Sequence, residues 1–138
     1  MHVQNVTVVR IEPIGGGTET DDASVTLRSG TAEVTAFLFG CVAHVGDVVQ
    51  SPLSALDSEV RAAYLEDWPD DVKNEFHRER IEKTEQPYGY RGYGHVVDQE
   101  QGIIEVLGFR IDVGDLDFVP NGTAVEFECF RLDMRRVV

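Results

Sequence analysis

The sequence predicts a mainly β protein with a helical insert (α+β), built on a curled antiparallel sheet or a partly open β-barrel. Runs rich in β-branched residues, which favour strands, occupy both halves of the chain. Glycine-containing turn sequences separate these runs. Between about positions 51 and 86, apolar residues recur instead at helical spacing. Strands, then helix, then strands is an OB-like element order.

The first half of the chain predicts a strand over 3–14, a flexible acidic loop over 15–24, and a hairpin. If Ser29 and Gly30 form the hairpin turn, Leu27 faces Ala32 and Val25 faces Val34. One face of this hairpin is then apolar throughout, which predicts that it is buried.

The middle of the chain predicts the helical insert, with Ser51 as the N-cap and Pro52 at the first helical position. Apolar residues follow at helical spacing and Pro69 ends the helix; they are Leu53, Leu56, Val60, Ala63, Tyr64 and Trp68. A second helix is predicted to begin at Asp70 and to extend through 70–86.

The second half predicts a hairpin around Asn121-Gly122, which suits positive φ angles. Its register would pair Phe118 with Val125 and Leu116 with Phe127, and Cys129 would continue the buried face. The outward face would carry Glu126 and Glu128. Between the two hairpins we expect two or three strands, with a turn at Gly102 and a bulge at Gly108.

The length of 138 residues suits a single domain spanning 1–138, and no apolar run is long enough to cross a bilayer. No secretory signal is visible at the N-terminus, so we expect a cytoplasmic protein.

The two cysteines, Cys41 and Cys129, lie in no metal-binding pattern. We expect both to be buried free thiols, and a single disulfide between them is the alternative.

The net charge of −13 disfavours nucleic acid and favours a basic protein partner, although it also serves solubility. In the helical insert, acidic residues surround two aromatic ones, a combination that provides charge steering and anchoring. We therefore predict a non-enzymatic binding protein of the inhibitor or immunity type. Its partner-binding residues would be Asp57, Glu59, Tyr64, Glu66, Asp67, Trp68, Asp70 and Asp71. The alternative is an amphipathic helix that buries its aromatic residues and leaves its acids in water.

A second hypothesis concerns the stretch "QPYGYRGYGHV", in which tyrosines alternate with glycines. Aromatic rings and a guanidinium can stack on bases or sugars. An OB-like module binding an oligonucleotide, nucleotide or oligosaccharide would use Tyr88, Tyr90, Arg91, Tyr93 and His95. The alternative is a loop whose tyrosines pack against the protein.

A third hypothesis is a small hydrolase, which requires a pocket in which His44 or His95 meets a carboxylate. His44 and Asp47 lie three residues apart near a turn, where a turn-stabilising hydrogen bond is the simpler interpretation. No histidine spacing predicts a metal site, and no cofactor signature is present, so neither a metal nor a cofactor is expected.

Overall fold

The computed structural model describes residues 6–14, 22–39, 43–64, 67–76, 78–116 and 119–134. These residues form twelve strands and one short helix, α1 (Asp70–Phe76). The strands are β1 (Val6–Pro13), β2 (Ala23–Ser29), β3 (Ala32–Leu38), β4 (Val48–Val49), β5 (Leu53–Leu56), β6 (Glu59–Ala62), β7 (Arg80–Lys83), β8 (Tyr90–Asp98), β9 (Ile103–Val106), β10 (Phe109–Asp112), β11 (Ala124–Cys129) and β12 (Arg131–Asp133). The prediction of a mainly β protein is confirmed.

All twelve strands belong to one sheet, in the order β4-β1-β2-β3-β12-β5-β10-β9-β8-β11-β6. Strands β7 and β9 pair with the same edge of β8: β7 pairs with the first half of that strand and β9 with the second half. Most neighbours are antiparallel, but β5 and β10 are parallel, as are β3 and β12. Among the described residues the path ends at β4 and β6 without closing, and the OB-like order is not confirmed.

Side chains from distant parts of the sheet meet in one apolar core. The backbone N–H of Thr35 donates to the Tyr90 hydroxyl over 2.8 Å, which joins β3 to β8. The Ser29 hydroxyl donates to the Leu107 carbonyl, also over 2.8 Å. The largest fully buried side chains include Phe109, Leu27, Leu38, Ile104, Ile111, Leu116 and Leu132. Curling of the sheet therefore brings its alternating apolar residues onto a common inner side.

The predicted helix over 51–69 is wrong, because this segment contains strands β5 and β6. Leu53 is buried and Leu56 is 40% exposed, as expected for residues three apart on a strand, which point to opposite faces. Neighbouring strands β10 and β12 flank β5, and β11 flanks β6. Between β5 and β6 the chain keeps its direction past Asp57, which has a φ of 50°, so both strands lie antiparallel to the consecutive strands β12 and β11. Pairing with distant strands has overridden the helical spacing.

The second predicted helix does begin at Asp70, but it ends at Phe76. The prediction over the rest of 70–86 is wrong, because residues 80–83 form β7 and pair with β8. Glu79 also has a tertiary role, since its Oε1 accepts a hydrogen bond from Leu107 N over 2.8 Å. The helical insert thus reduces to about two turns.

The first predicted hairpin exists as β2 and β3, but its turn is Gly30-Thr31. Leu27 therefore pairs with Val34, and Val25 pairs with Ala36. This register differs by two residues from the predicted one, so the same side chains remain on the buried face.

The turn at Asn121-Gly122 also exists, and Gly122 has a φ of 87°. Thr123 N donates to Pro120 O over 3.2 Å, which closes a β-turn. The predicted partner strand is wrong, however, because β11 pairs with β8 on one side and with β6 on the other. Leu116 is buried outside any strand, and Phe118 lies outside the described residues.

Gly108 belongs to the tight turn between β9 and β10 rather than to a bulge. Leu107 and Gly108 have φ angles of 51° and 89°, the combination expected of a type I′ turn. The Leu107 backbone is held from two sides, by the Glu79 carboxylate and the Ser29 hydroxyl. These two bonds fix an unfavourable backbone conformation for leucine.

Candidate functional site

Charged side chains form two rows across β6, β11, β8 and β7, at one end of the sheet. Alternate residues of a strand share a face, so both rows point to the same side. The first row is Glu59, Glu128, Arg91 and Glu82, and the second is Arg61, Glu126, Tyr93 and Arg80. These side chains line an open groove of about 390 Å³, which we call the charged groove.

The arginines of the charged groove interact with neighbours from within the chain. Arg61 pairs with Glu126 across β6 and β11, and the hydrogen bond raises the pKa of Arg61. Arg91 Nε donates to Glu82 Oε1 over 2.8 Å, which raises the pKa of Arg91. The guanidinium of Arg80 lies 4.5 Å from the centre of the Tyr93 ring, a cation–π contact. The positive charge of the groove is thus largely matched internally.

Two acids of the charged groove are not matched in this way. Glu59 and Glu128 are directly opposite each other in the β6–β11 pairing. Neither forms an ion pair with another described residue, although both act electrostatically on Arg61. Like charges directly opposite on paired strands destabilise the pairing. The groove therefore contains a local excess of negative charge at the β6 side.

Two glycines allow both β7 and β9 to approach the same edge of β8. A side chain at Gly92 would clash with the carbonyl oxygen of Arg80 in β7. A side chain at Gly94 would clash with the carbonyl oxygen of Glu105 in β9. Gly92 and Gly94 of the Tyr-Gly stretch are therefore packing positions within a long strand.

The structure places most of the predicted partner-binding residues on the surface, in β6 and in the segments that precede and follow it. The exposed acids are Asp57, Glu59, Asp67, Asp70 and Asp71, which we call the acidic surface. Tyr64 and Trp68 are half-buried, and the Lys73 ammonium lies 5.6 Å from the centre of the Tyr64 ring. Glu66 lies outside the described residues. Within the charged groove, only Glu59 belongs to the predicted set.

The five residues of the predicted stacking platform do not share one surface. Tyr90 is 5% exposed and lies in the core. The Tyr88 ring packs edge-on against Phe37, and its hydroxyl is 2.5 Å from the Ser24 hydroxyl. Arg91 and Tyr93 point into the charged groove, on the other face of β8.

The two histidines considered for hydrolysis each lie near a carboxylate, but neither lines the charged groove. His95 Nδ1 is 3.5 Å from Oε2 of Glu79. The other carboxylate oxygen of Glu79, Oε1, accepts the hydrogen bond from Leu107 N. The backbone N–H of His44 donates to Asp47 Oδ2 over 2.8 Å, and Asp47 N donates to His44 O over 3.0 Å. The turn-stabilising hydrogen bond predicted between residues 44 and 47 is therefore present.

Sequence reasoning did not bring the residues of the charged groove together. The outward direction of Glu126 and Glu128 follows from their alternation with buried residues, and this signal was visible. Arg61, Arg80 and Glu82 lie in segments whose spacing predicted helix, so their row could not be assembled from the sequence. Only the strand pairing brings together residues that lie up to 69 positions apart, as in the pair of Glu59 with Glu128.

Cys129 is buried and free, as predicted, whereas Cys41 lies outside the described residues. Burial raises the pKa of the Cys129 thiol to about 11, so the thiol is neutral near pH 7 and is a poor nucleophile.

In the described part of the chain, no group of three or more His, Cys, Asp or Glu side chains is arranged to hold a metal ion. No helix there has the length and apolar character needed to cross a bilayer.

No protein-family model matches this chain, and no curated protein or solved structure shows significant similarity to it.

Proposed function

We propose that this chain is a non-enzymatic binding protein of the inhibitor or immunity type, which engages a basic protein partner. The observation that carries the proposal is the charge arrangement at the β6 end of the sheet. There the arginines have partners within the chain, while Glu59 and Glu128 and the acidic surface remain open to solvent. Such a surface attracts lysine and arginine side chains of a partner.

Half-buried aromatic residues beside the acids support the same proposal. Tyr64 and Trp68 lie between β6 and α1, flanked by Asp67, Asp70 and Asp71. Aromatic side chains that are partly exposed provide contact area, whereas exposed acids steer the approach of an oppositely charged partner. The net charge of −13 acts in the same direction over longer distances.

A pulldown with two matched variants tests this proposal. The first variant neutralises three exposed acids near β6, with Asp57→Asn, Glu59→Gln and Asp67→Asn. The control neutralises three exposed acids elsewhere, with Glu12→Gln, Glu85→Gln and Glu100→Gln, so both variants change the net charge equally. We expect the native protein and the control to retain a basic protein at low salt, and the first variant to retain about tenfold less.

The salt dependence of binding provides the second readout. Captured protein should decrease steeply as the salt concentration rises from about 0.05 M to about 0.5 M, because screening weakens charge steering. Equal losses in both variants would show that overall charge, and not the acidic surface, is responsible. Salt-independent capture, or the absence of any basic partner, would contradict the proposal.

A further inference from the structure

Among the described residues, β6 ends the strand order of the sheet, and no strand pairs with its second edge, which we call the open edge. Its other edge pairs with β11, and Ala63 N donates to Ala124 O over 2.9 Å at the end of that ladder. In antiparallel ladders, hydrogen-bonded and non-hydrogen-bonded pairs alternate. Residues 59, 61 and 63 therefore bond to β11, and the backbone groups of Val60 and Ala62 point toward the open edge.

The open edge lacks two of the features that protect edge strands from further pairing. Proteins commonly protect an edge by a short strand, charged side chains, proline or a bulge, and β6 has four residues, of which two are charged. The β6 sequence, Glu-Val-Arg-Ala, contains no proline, and its register with β11 runs from 59 to 62 without a bulge. Its two charges are opposite in sign, and Glu59 and Arg61 are both exposed on the same face.

The charge pattern of β6, with Glu59 and Arg61 on either side of Val60, is complementary to itself. If two β6 strands meet antiparallel about a two-fold axis at Val60, each Glu59 faces Arg61 of the second copy. Val60 then faces Val60, and these residues exchange both backbone hydrogen bonds, as the direction of their N–H and C=O groups requires. The Glu59–Arg61 pairs become non-hydrogen-bonded pairs, in which the side chains lie closest.

We infer that a second copy of this chain docks on the β6 edge in this register. The pairing would join two β7-β8-β11-β6 segments into one sheet of eight strands with two-fold symmetry. It would also place Arg61 of the second copy, which is paired with Glu126 in that copy, opposite Glu59, and so weaken the repulsion between Glu59 and Glu128 within each copy. This inference concerns self-association and does not require the proposed basic partner, although both associations use Glu59.

The two associations respond to salt in opposite directions. Each copy carries a charge of −13, so two copies repel each other at long range. Salt screens this repulsion more than it weakens the short-range backbone pairing. The dimer should therefore strengthen with salt, whereas binding to a basic protein should weaken, and the opposite salt responses distinguish failure of one association from failure of the other.

Sedimentation equilibrium of the purified chain in about 0.5 M NaCl tests the inference, with Val60→Pro as the decisive variant. Proline removes the Val60 N–H, which points to the open edge, and leaves the bonds to β11 in place. We expect Val60→Pro to raise the dimer dissociation constant at least about tenfold, because two edge hydrogen bonds are lost. The control, Val60→Ala, keeps the N–H and should change the constant much less.

Charge exchange tests the register separately. Glu59→Arg and Arg61→Glu should each abolish the homodimer, because like charges then face each other. An equal mixture of the two variants should restore a heterodimer, since each arginine again faces a glutamate. Circular dichroism of each variant checks the fold, and a variant that does not fold is replaced by the milder pair Glu59→Gln and Arg61→Gln, each of which should weaken the dimer.

Three results would overturn the inference. The native chain could stay monomeric at about 1 mM in high salt, as expected if the edge takes a strand of another protein or none. The dimer could survive Val60→Pro unchanged, which would place its interface elsewhere. The mixture of charge variants could remain monomeric while both variants are folded, which would exclude this register.

Discussion

Tyr90 illustrates how one residue position decides the role of a whole stretch. Its ring lies in the core and its hydroxyl accepts a hydrogen bond from Thr35 N, so the residue joins β8 to β3. The alternation of a strand then sends Arg91 and Tyr93 to the opposite face. A sequence that suggested one aromatic platform is therefore divided between the protein interior and the charged groove.

Cys129 gives the protein a specific loss of stability at alkaline pH. Its thiol has a pKa of about 11 in the folded chain, raised by burial from an ordinary value of 9.0. Below pH 9 the thiol is neutral in both states and contributes no pH dependence. Between about pH 9 and 11 it ionises only in the unfolded chain, which favours unfolding by up to about 3 kcal/mol.

Urea unfolding of the native protein and of Cys129→Ala, measured from about pH 8 to pH 11, checks this prediction. The free energy of unfolding should fall more steeply with pH for the native protein than for the variant. Parallel curves would show that Cys129 does not contribute. Because the comparison subtracts every other titrating group, tyrosines and Cys41 do not affect the conclusion.

At the scale of elements, two glycines of β8 determine whether β7 and β9 can share one strand edge. We expect Gly92→Ala to lower the free energy of unfolding by about 2 to 4 kcal/mol, because the new methyl group meets the backbone of Arg80. Gly30→Ala is the matched control, since open space surrounds it and only its φ of 60° is unfavourable for alanine. Its cost should be about 1 kcal/mol.

Urea midpoints of the two glycine variants provide the measurement. A smaller loss in Gly92→Ala than in Gly30→Ala would show that β7 is not held closely against β8. Binding to a basic partner offers a second readout, because displacement of β7 also displaces Arg80 and Glu82 from the charged groove.

Strands bounded by strong turn residues could be predicted from the sequence, and those that depend on distant partners could not. The β2–β3 hairpin was recoverable because its apolar alternation persists on both sides of a glycine turn. β5 and β6 were not, because Leu53, Leu56 and Val60 also fit helical spacing and short apolar runs are ambiguous. Four of the eight side chains of the charged groove lie on β6 and β7, so the groove could not be assembled while those segments were predicted to be helical.

At the scale of the whole molecule, the excess of 25 acidic over 12 basic residues sets a strong dependence on salt. Self-repulsion of a net charge of −13 opposes the compact state, and salt screens it. We expect the melting temperature to rise by about 5 °C between about 0.1 M and 1 M NaCl.

Differential scanning calorimetry checks this expectation, with the variant Glu12→Gln, Glu85→Gln and Glu100→Gln as the control. Its three fewer charges should give a shallower rise. A melting temperature that is constant or falls with salt would mean that the ion pairs, such as Arg28 with Glu33, outweigh the general repulsion.

The position of β12 constrains the order in which this molecule can be assembled. It follows every other described strand along the chain, yet it lies between β3 and β5 and connects the two halves of the sheet. An emerging polypeptide can form the β2–β3 hairpin early, but it cannot join that hairpin to β5 until residues 131–133 have been synthesised. Closing such long loops makes folding slow and leaves the facing edges of β3 and β5 exposed to aggregation until the last step.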